Sequence, residues 1–164
     1  MSSQVTAILV VHDGATWLPQ VVAALASQTR TPDRTIAVDT GSVDGSLKLL
    51  SSARIKNISI DRGEGFGSAV AEAVATLPPV ESEDEWIWLL HDDSAPDQHA
   101  LEKLLEAVAD RPNIAMVGPK ILGWHDRSHL LEVGISIARN GARWTGLEDR
   151  EYDQGQHDGI FEVF

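Results

Sequence analysis

Two adjacent carboxylates that follow an apolar run are the residues of this sequence best suited to chemistry. Asp92 and Asp93 come directly after Trp86-Ile87-Trp88-Leu89-Leu90, a run typical of a buried strand. Open α/β sheets bind ligands at the carboxyl ends of their strands. Neighbouring side chains on a strand point to opposite faces, and carboxylate oxygens suit Mg²⁺ or Mn²⁺. The pair therefore predicts a divalent cation on one carboxylate and a polar ligand on the other.

Two further aspartates follow another predicted strand. Asp39 ends the run 35–39, and Asp44 lies in the turn 40–45 behind it. In a parallel sheet both would face the same crevice as the pair at 92 and 93. Asp44 suits a helix cap equally well, because Gly45-Ser46 opens a helix. For Asp39 a ligand role is the favoured interpretation.

A glycine-rich loop adds a possible anion site. Gly63-Glu64-Gly65-Phe66-Gly67 precedes a predicted helix, whose N-terminal N–H groups and dipole could hold a phosphate. Its spacing fits neither a dinucleotide-binding motif nor a P-loop, and a plain tight turn explains it as well. His91 could be a third metal ligand, although a packed or solvated histidine is the favoured interpretation.

Composition excludes several classes of protein. The chain has 164 residues, 43% of them hydrophobic, and 25 acidic against 13 basic residues give a formal charge of -12. That charge disfavours nucleic acid and anionic membranes as partners. The absence of cysteine excludes disulfides and cysteine nucleophiles. The sequence lacks a signal-peptide pattern and any apolar stretch near the ~20 residues of a membrane span, so we expect a cytoplasmic protein.

The order of apolar patterns positions these residues. Strands are expected at 5–11, 35–39, 58–60, 86–90 and 114–117, and helices at 16–28, 46–52, 69–77 and 97–108 alternate with them. Thr16 is expected to cap the N-terminus of the first helix, and Asp97 that of the last. This alternation predicts an α/β fold with a mainly parallel sheet and helices on both faces.

Three other segments complete the prediction. The acidic run Glu81–Glu85 is expected to be a surface connection, and Asn140-Gly141 a hairpin turn between 131–137 and 142–144. The turn-rich stretch 146–159 is expected to be a loop. Residues 159–164 resemble a strand in progress, so we expect one domain over 1–164 that belongs to a longer protein.

Four segments taken in order resemble the family 2 glycosyltransferases of the GT-A fold. They are Val5–Asp13, Val38–Ser46, Gly63–Gly67 and Leu90–Pro96. The resemblance runs through about the first 120 residues, which implies a Rossmann-like, nucleotide-diphospho-sugar transferase fold with a donor and metal half in 1–120 and the start of the acceptor half in 121–164. Leu131–Gly134 and Asp153–Asp158 are similar to actinobacterial-type members.

The resemblance also implies a site. The residues implied to bind the nucleotide sugar are His12, Asp13, Asp39, Asp44, Gly65, Gly67 and Asp92, and those implied to bind Mn²⁺ or Mg²⁺ are Asp93 and Asp92. Within this set the nucleobase would meet Asp39, the ribose Asp92, and the metal on the diphosphate Asp93. The sequence departs from many relatives at His91, where they carry an acid, and at Val11-His12-Asp13, where they often have a Pro-x-Tyr-Asn type sequence.

By the same resemblance the activity is inverting, metal-dependent transfer of a sugar from a nucleotide diphosphate sugar to a hydroxyl of a glycan or lipid-linked acceptor, with a cell-envelope glycan expected. This chain would carry the donor-binding part, the full-length protein would be associated with the cytoplasmic face of the membrane, and the catalytic base would lie beyond residue 164. Asp149, Asp153 and Asp158 are poor candidates for that base.

Three alternatives stay open at this point. A nucleotide-sugar-binding module without a catalytic base would share the donor motifs. A sugar nucleotidyltransferase has a similar sheet, but it usually carries a basic glycine-rich segment, which 11–16 is not. A response-regulator-like module would need a lysine at a late strand end, and Lys120 lacks the expected surroundings.

Overall fold

A computed structural model describes residues 3–80 and 84–159. Its strands and helices alternate along most of the chain, which confirms the predicted α/β class. The elements are β1 Gln4–Val11, α1 Leu18–Ala26, β2 Arg34–Asp39, α2 Ser46–Ser52, β3 Lys56–Ser59, α3 Phe66–Ala75, β4 Glu85–His91, α4 Ala100–Val108, β5 Ile121–Leu122, β6 Leu130–Glu132, β7 Ser136–Ile137 and β8 Arg143–Trp144.

The main sheet brings the predicted site residues to one edge. Its four strands run in the order β3-β2-β1-β4, and every neighbouring pair is parallel. Val11 at the end of β1 pairs with Asp39, and Val10 pairs with His91. Because parallel strands end at the same edge, the loops that follow β1, β2 and β4 emerge side by side.

Strand β1 lies in the middle of the core. Every residue from Val5 to Val11 is buried, as expected for a strand covered on both faces. On one face α3 packs Ala69 and Ala73 against Ile8 and Val38. The small alanines let the helix backbone approach the sheet closely.

The opposite face of β1 is also buried. Leu9 and Val11 point away from the α3 face, since side chains alternate along a strand, and both are fully buried. Leu18 and Val21 of α1 and Leu50 of α2 are fully buried as well. Each large aliphatic side chain withdrawn from water in this way contributes about 1.5–3 kcal/mol to stability.

Two details of the helix starts differ from the sequence prediction. Thr16 is not the cap of α1: Trp17 occupies the N-cap position without a side-chain cap bond. The carbonyl of Gly14 accepts the N–H groups of Trp17 and Leu18 instead, so backbone already supplies what the threonine would provide. Helix α3 begins at Phe66, because Gly65 provides its N-cap.

One predicted strand is absent, and another forms but is less buried than predicted. Residues 114–117 form no strand and pair with none of the described residues; a β-branched run forms a strand only where a neighbour completes its hydrogen bonds. Strand β4 forms as predicted but is not buried, since Ile87 and Leu89 are 44% and 47% exposed. Among the described strands β4 pairs only with β1 and is therefore an edge strand.

The described chain divides after Glu102 into two compact units, with the boundary inside α4. The second unit contains two antiparallel pairs, β5-β6 and β7-β8. The hairpin β7-β8 turns through Gly141 at φ +80°, which confirms the Asn-Gly prediction. Residues 146–159 form a loop with one isolated bridge, between His129 and Tyr152. The single-domain organisation over 1–164 stays a prediction.

Two expectations fall on residues that are not described. The acidic connection Glu81–Glu85 includes 81–83, and the strand expected over 159–164 includes 160–164, which lie outside the described residues. Among the described residues, no helix combines the length and the apolar character that crossing a bilayer requires.

Candidate functional site

A cavity of about 320 Å³ opens at the carboxyl edge of the sheet in the first unit. It is lined by Val10, His12, Thr40, Gly63, Glu64, Phe66, His91 and Asp92. Four segments that are far apart in sequence meet there: the exits of β1, β2 and β4 and the glycine loop before α3. Of the predicted site residues, His12 and Asp92 line the cavity directly.

Asp92 connects the end of β4 to the loop after β1. Its Oδ2 accepts the backbone N–H of His12 at 2.7 Å. Gly14 passes so close that a Cβ there would lie 2.3 Å from the same oxygen, so a glycine is required at this approach. Burial raises the pKa of Asp92, and the neighbouring negative charge of Asp93 adds to the rise. This carboxyl therefore lies where added positive charge would be favourable.

Asp93 has different surroundings. It is exposed, and within 3–80 and 84–159 its carboxylate makes no side-chain hydrogen bond or ion pair. Mg²⁺ and Mn²⁺ commonly use one or two carboxylates and fill their other positions with water and substrate phosphate. The oxygens of Asp93 and Asp92 are ligands of this kind. The described part of the chain contains no cluster of three or more His, Asp or Glu side chains that could hold a metal, and a cation on this pair stays a prediction.

Asp39 is buried with one oxygen unpaired. The residue is 1% exposed, and its Oδ2 accepts the N–H groups of Gly41 and Ser42 at 3.2 and 3.1 Å. Its Oδ1 has no donor among the described residues. Asp39 is not among the residues that line the cavity. A buried carboxylate oxygen without a donor is costly, so a ligand that supplies an N–H would stabilise it.

His12 is held by the end of β2. Its Nδ1 lies 2.7 Å from Thr40 Oγ1 and 3.1 Å from Thr40 O. Thr40 Oγ1 donates its own proton to the carbonyl of Val11, so it can only accept from His12. Both oxygens near Nδ1 are therefore acceptors, and Nδ1 carries the proton. In the neutral ring Nε2 therefore carries the lone pair.

Asp13 uses both carboxylate oxygens within the protein. Oδ1 accepts the N–H of Val43, and Oδ2 accepts Arg62 Nη2 at 2.7 Å. Arg62 also donates to the carbonyl of Gly41, and its hydrogen bond lowers the pKa of Asp13. The sequence analysis missed Arg62, although it is the one basic residue in 61–68. Asp13 thus joins the loops after β1, β2 and β3, and its role as a ligand stays a prediction.

Asp44 is similarly engaged. Its Oδ1 accepts both the N–H and the hydroxyl of Ser46 at the start of α2, and its Oδ2 accepts the N–H of Ala15. The hydrogen bond from Ser46 lowers its pKa. These contacts are those of a turn former. The N-cap position of α2 belongs to Gly45, without a side-chain cap bond, and contact of Asp44 with a nucleotide stays a prediction.

The predicted glycines at the start of α3 face open space. A Cβ added at Gly65 or Gly67 would meet no atom within 4 Å, so packing within the protein does not require a glycine at either position. Gly63 differs, since its φ of +108° favours glycine by itself. Beside them the ring of Phe66 stacks on that of His91, with centroids 4.2 Å apart and planes 17° from parallel.

The aspartates near the end of the chain belong to the second unit. Lys120 Nζ holds Asp153 at 2.6 Å and Asp158 at 2.5 Å in the second unit. The hydrogen bond from Lys120 lowers the pKa of Asp153, and a carboxylate with a lowered pKa is a weak base. The expectation that Asp149, Asp153 and Asp158 are poor candidates for the catalytic base stays a prediction.

The sequence profile described as Glycosyl transferase family 2 matches residues 6–160. The chain belongs to glycosyltransferase family 2. This family 2 chain is 30% identical over 133 residues to a galactofuranosyltransferase of Mycobacterium tuberculosis, GlfT1, covering 79% of the chain and 43% of that protein. It is 26% identical over 126 residues to the GlfT1 of Mycolicibacterium smegmatis, covering 77% and 42%. The family 2 chain therefore spans less than half the length of these relatives.

Solved structures place the family 2 chain in the GT-A fold. S. aureus TarS superimposes with a TM-score of 0.56 at 15% identity, covering 76% of this chain and 43% of that one. Glucosyl-3-phosphoglycerate synthase from Mycobacterium tuberculosis, solved with Mn²⁺ and UDP, gives 0.52 at 14%, covering 66% and 40%. A mannosyltransferase from Pyrobaculum calidifontis, solved with GDP-Man and Mn²⁺, gives 0.54 at 16%, covering 68% and 34%. At these identities the likeness shows the fold alone.

Proposed function

We propose that this chain is the donor-binding part of an inverting, metal-dependent glycosyltransferase that uses a nucleotide diphosphate sugar. The observation that carries the proposal is the pair at the end of β4: Asp92 lines the 320 Å³ cavity, and Asp93 beside it is exposed and has no side-chain partner among the described residues. Asp92 is held in place by the protein, whereas Asp93 is free to bind. This arrangement suits a site that the cation enters together with the nucleotide.

Asp93, with Asp92, would hold Mn²⁺ or Mg²⁺. When bound, the cation neutralises charge on the departing nucleoside diphosphate. The chain itself has a formal charge of -12, so without a cation it would repel a diphosphate. The solved structures with Mn²⁺ and UDP or GDP-Man support this assignment by analogy of fold.

We expect the unpaired Oδ1 of Asp39, which is buried in this structure, to be satisfied by an N–H of the bound base. Uracil presents one N–H, at N3, and one free carboxylate oxygen accepts it. Guanine presents N1–H and an amino group side by side and would need more acceptors than this oxygen offers. Cytosine has no N–H at that position. Among UDP, GDP and CDP, UDP is therefore the nucleotide expected to bind best.

The glycine loop would receive the diphosphate part of the donor. Gly65 and Gly67 leave the first turn of α3 uncovered by side-chain carbons, which lets a phosphate approach backbone N–H groups. His12, held by Thr40, would contact the base or ribose with its remaining ring edge.

The transferred sugar is proposed from the relatives. The similarity to galactofuranosyltransferases makes a uridine diphosphate galactofuranose the first donor to test, and a hydroxyl of a cell-envelope glycan stays the acceptor that the family resemblance implies. Inversion requires a base that takes the acceptor proton. We assign that role to none of the described residues, and the chain is expected to bind the donor without transferring the sugar.

Calorimetric titration of UDP, GDP and CDP, each with and without Mn²⁺, tests the proposal. We expect UDP to bind best and only with Mn²⁺, and Asp93→Ala to abolish the heat. Asp61→Ala is the matched control, because Asp61 is an exposed carboxylate two residues after the end of β3 and its loss should leave binding unchanged. Binding that is independent of Mn²⁺, or equal losses in both variants, would contradict the metal assignment.

A further inference from the structure

The ring of His91 stacks on Phe66 at the edge of the cavity. The centroids are 4.2 Å apart and the planes meet at 17°, and both residues line the cavity. The pair joins two elements that are not neighbours in sequence: His91 is the last residue of β4, and Phe66 is the first residue of α3.

The backbone of His91 is fixed independently of its ring. The N–H of His91 donates to Ser94 Oγ at 3.1 Å, and the Ser94 hydroxyl lies 2.9 Å from the carbonyl of His91. This turn sets the direction in which the imidazole leaves the strand. The ring therefore presents a fixed surface to Phe66.

Phe66 in turn belongs to the glycine loop. It stands between Gly65 and Gly67, where an added Cβ would meet no atom within 4 Å. Neither glycine contributes a side chain that could hold the loop in place, so the turn is fixed by the Phe66 ring, which packs against the core of the sheet and stacks on His91. Its contact with His91 holds the start of α3 beside Asp92.

We propose that His91 is a positioning residue for the nucleotide and not a metal ligand. Its ring holds Phe66, and through Phe66 it holds the first turn of α3 in the place where the donor diphosphate lies. This inference rests on the proposed function, because it concerns the same donor site. It predicts that nucleotide affinity depends on a flat ring at position 91, whereas affinity for Mn²⁺ alone does not.

Four variants separate these roles. His91→Phe keeps a flat ring and removes both metal-binding nitrogens, His91→Ala removes the ring, Phe66→Ala removes its partner, and the fourth variant combines the two alanines. UDP affinity is measured by calorimetry with saturating Mn²⁺, Mn²⁺ affinity without nucleotide by electron paramagnetic resonance, and folding by thermal unfolding.

We expect His91→Phe to bind UDP within about 3-fold of the unmodified chain and His91→Ala about 10-fold more weakly, the size of a lost aromatic contact. Phe66→Ala should weaken UDP binding at least as much as His91→Ala, because Phe66 also packs on the core. The double variant should lose little more than Phe66→Ala alone, since residues that act through one contact are not additive. Mn²⁺ affinity should stay unchanged throughout.

Three outcomes overturn the inference. Weaker Mn²⁺ binding in both His91→Phe and His91→Ala would make His91 a metal ligand. UDP affinity in His91→Ala equal to that of the unmodified chain would remove the positioning role while leaving the proposed function intact. An unmodified chain that binds no nucleotide would overturn the proposed function and this inference with it. If His91→Ala fails to fold, His91→Phe still tests the inference, because a 10-fold loss of UDP affinity in a variant that keeps a flat ring would contradict the role of the ring.

Discussion

Asp92 and Asp93 are neighbours in sequence with unlike surroundings, and that difference organises the site at the scale of residues. Asp92 accepts a hydrogen bond from the backbone N–H of His12 and lies close to Gly14, so it helps to hold the wall of the cavity in place. Asp93 is exposed and makes no side-chain bond to the described residues. The structure thus separates a carboxylate that holds a loop from one that is available to a ligand.

Substitution of Asp39 should change which base is bound. In Asp39→Asn the amide oxygen can keep the bonds to Gly41 and Ser42, which places the amide nitrogen where the unpaired Oδ1 now lies. A donor at that position repels the uracil N3–H and suits the N3 acceptor of cytosine. We expect UDP affinity to fall about 10- to 100-fold while CDP affinity rises. Calorimetry with both nucleotides checks this, and equal losses for both would mean that Asp39 only stabilises the loop.

The positions of Asp39, Asp92 and Asp93 were predictable because each follows an apolar run that ends at a sheet edge. The engagement of Asp13 and Asp44 was not. Their partners, Val43 for Asp13 and Ala15 for Asp44, are about 30 positions away in sequence. Such contacts arise only when the loops after β1 and β2 come together, and residue type alone does not indicate them.

At the scale of elements, a substitution at the start of α3 should change donor affinity and helix stability in opposite directions. Gly67 lies inside α3 with open space around its missing Cβ. Alanine there should raise the free energy of unfolding by up to about 1 kcal/mol, because glycine is a poor helix former. If phosphate approaches this backbone, the same methyl group should weaken UDP binding at least ~10-fold.

Thermal unfolding and calorimetry on Gly67→Ala check both effects, with Ser68→Ala as the control at the next position of the helix. A stabilised variant with unchanged UDP affinity would show that these glycines form only a turn. Gly14→Ala provides the opposite case. Its Cβ would lie 2.3 Å from Asp92 Oδ2, so both stability and UDP binding should fall.

The loop that contains Glu151 should respond to acid. Hydrogen bonds from Gln156, from the N–H of Glu148 and from His157 lower the pKa of Glu151 to about 2. Because the folded pKa lies below the usual 4.5, the stabilisation is fully present above about pH 4.5 and is lost as pH falls towards 2. Comparing unfolding midpoints of Glu151→Gln and the unmodified chain should give a difference that shrinks from pH 5 to pH 3. A constant difference over that range would contradict the lowered pKa.

Elements with a strong period were predicted well, and those that depend on a neighbour were not. The bounds of α2 were predicted to the residue and β1 to within one residue. Residues 114–117 have the composition of a strand but pair with none of the described residues. Strand β4 has the apolar run of a buried strand and yet leaves Leu89 47% exposed. Periodicity reports which side chains avoid water, whereas pairing and burial depend on what else packs there.

At the scale of the whole molecule, the net charge of the chain and its length relative to its relatives determine the binding behaviour that we expect. A formal charge of -12 makes binding of a nucleoside diphosphate dependent on the cation and on local donors. The chain covers 43% of the M. tuberculosis relative. Under the proposed function, we expect this chain alone to bind the donor without transferring the sugar.

The most direct test of the central claim is a nuclear magnetic resonance titration of the isotope-labelled chain with Mn²⁺ in the presence of UDP, with Mg²⁺ as the diamagnetic control. We predict that the amide signals of His12, Thr40 and Asp92, which line the cavity, broaden first and that Asp93→Ala abolishes the effect. A second cavity in the first unit is lined by acidic residues, among them Asp61 and Glu72. Broadening that begins there, or that persists in Asp93→Ala, would contradict a donor site built on the end of β4.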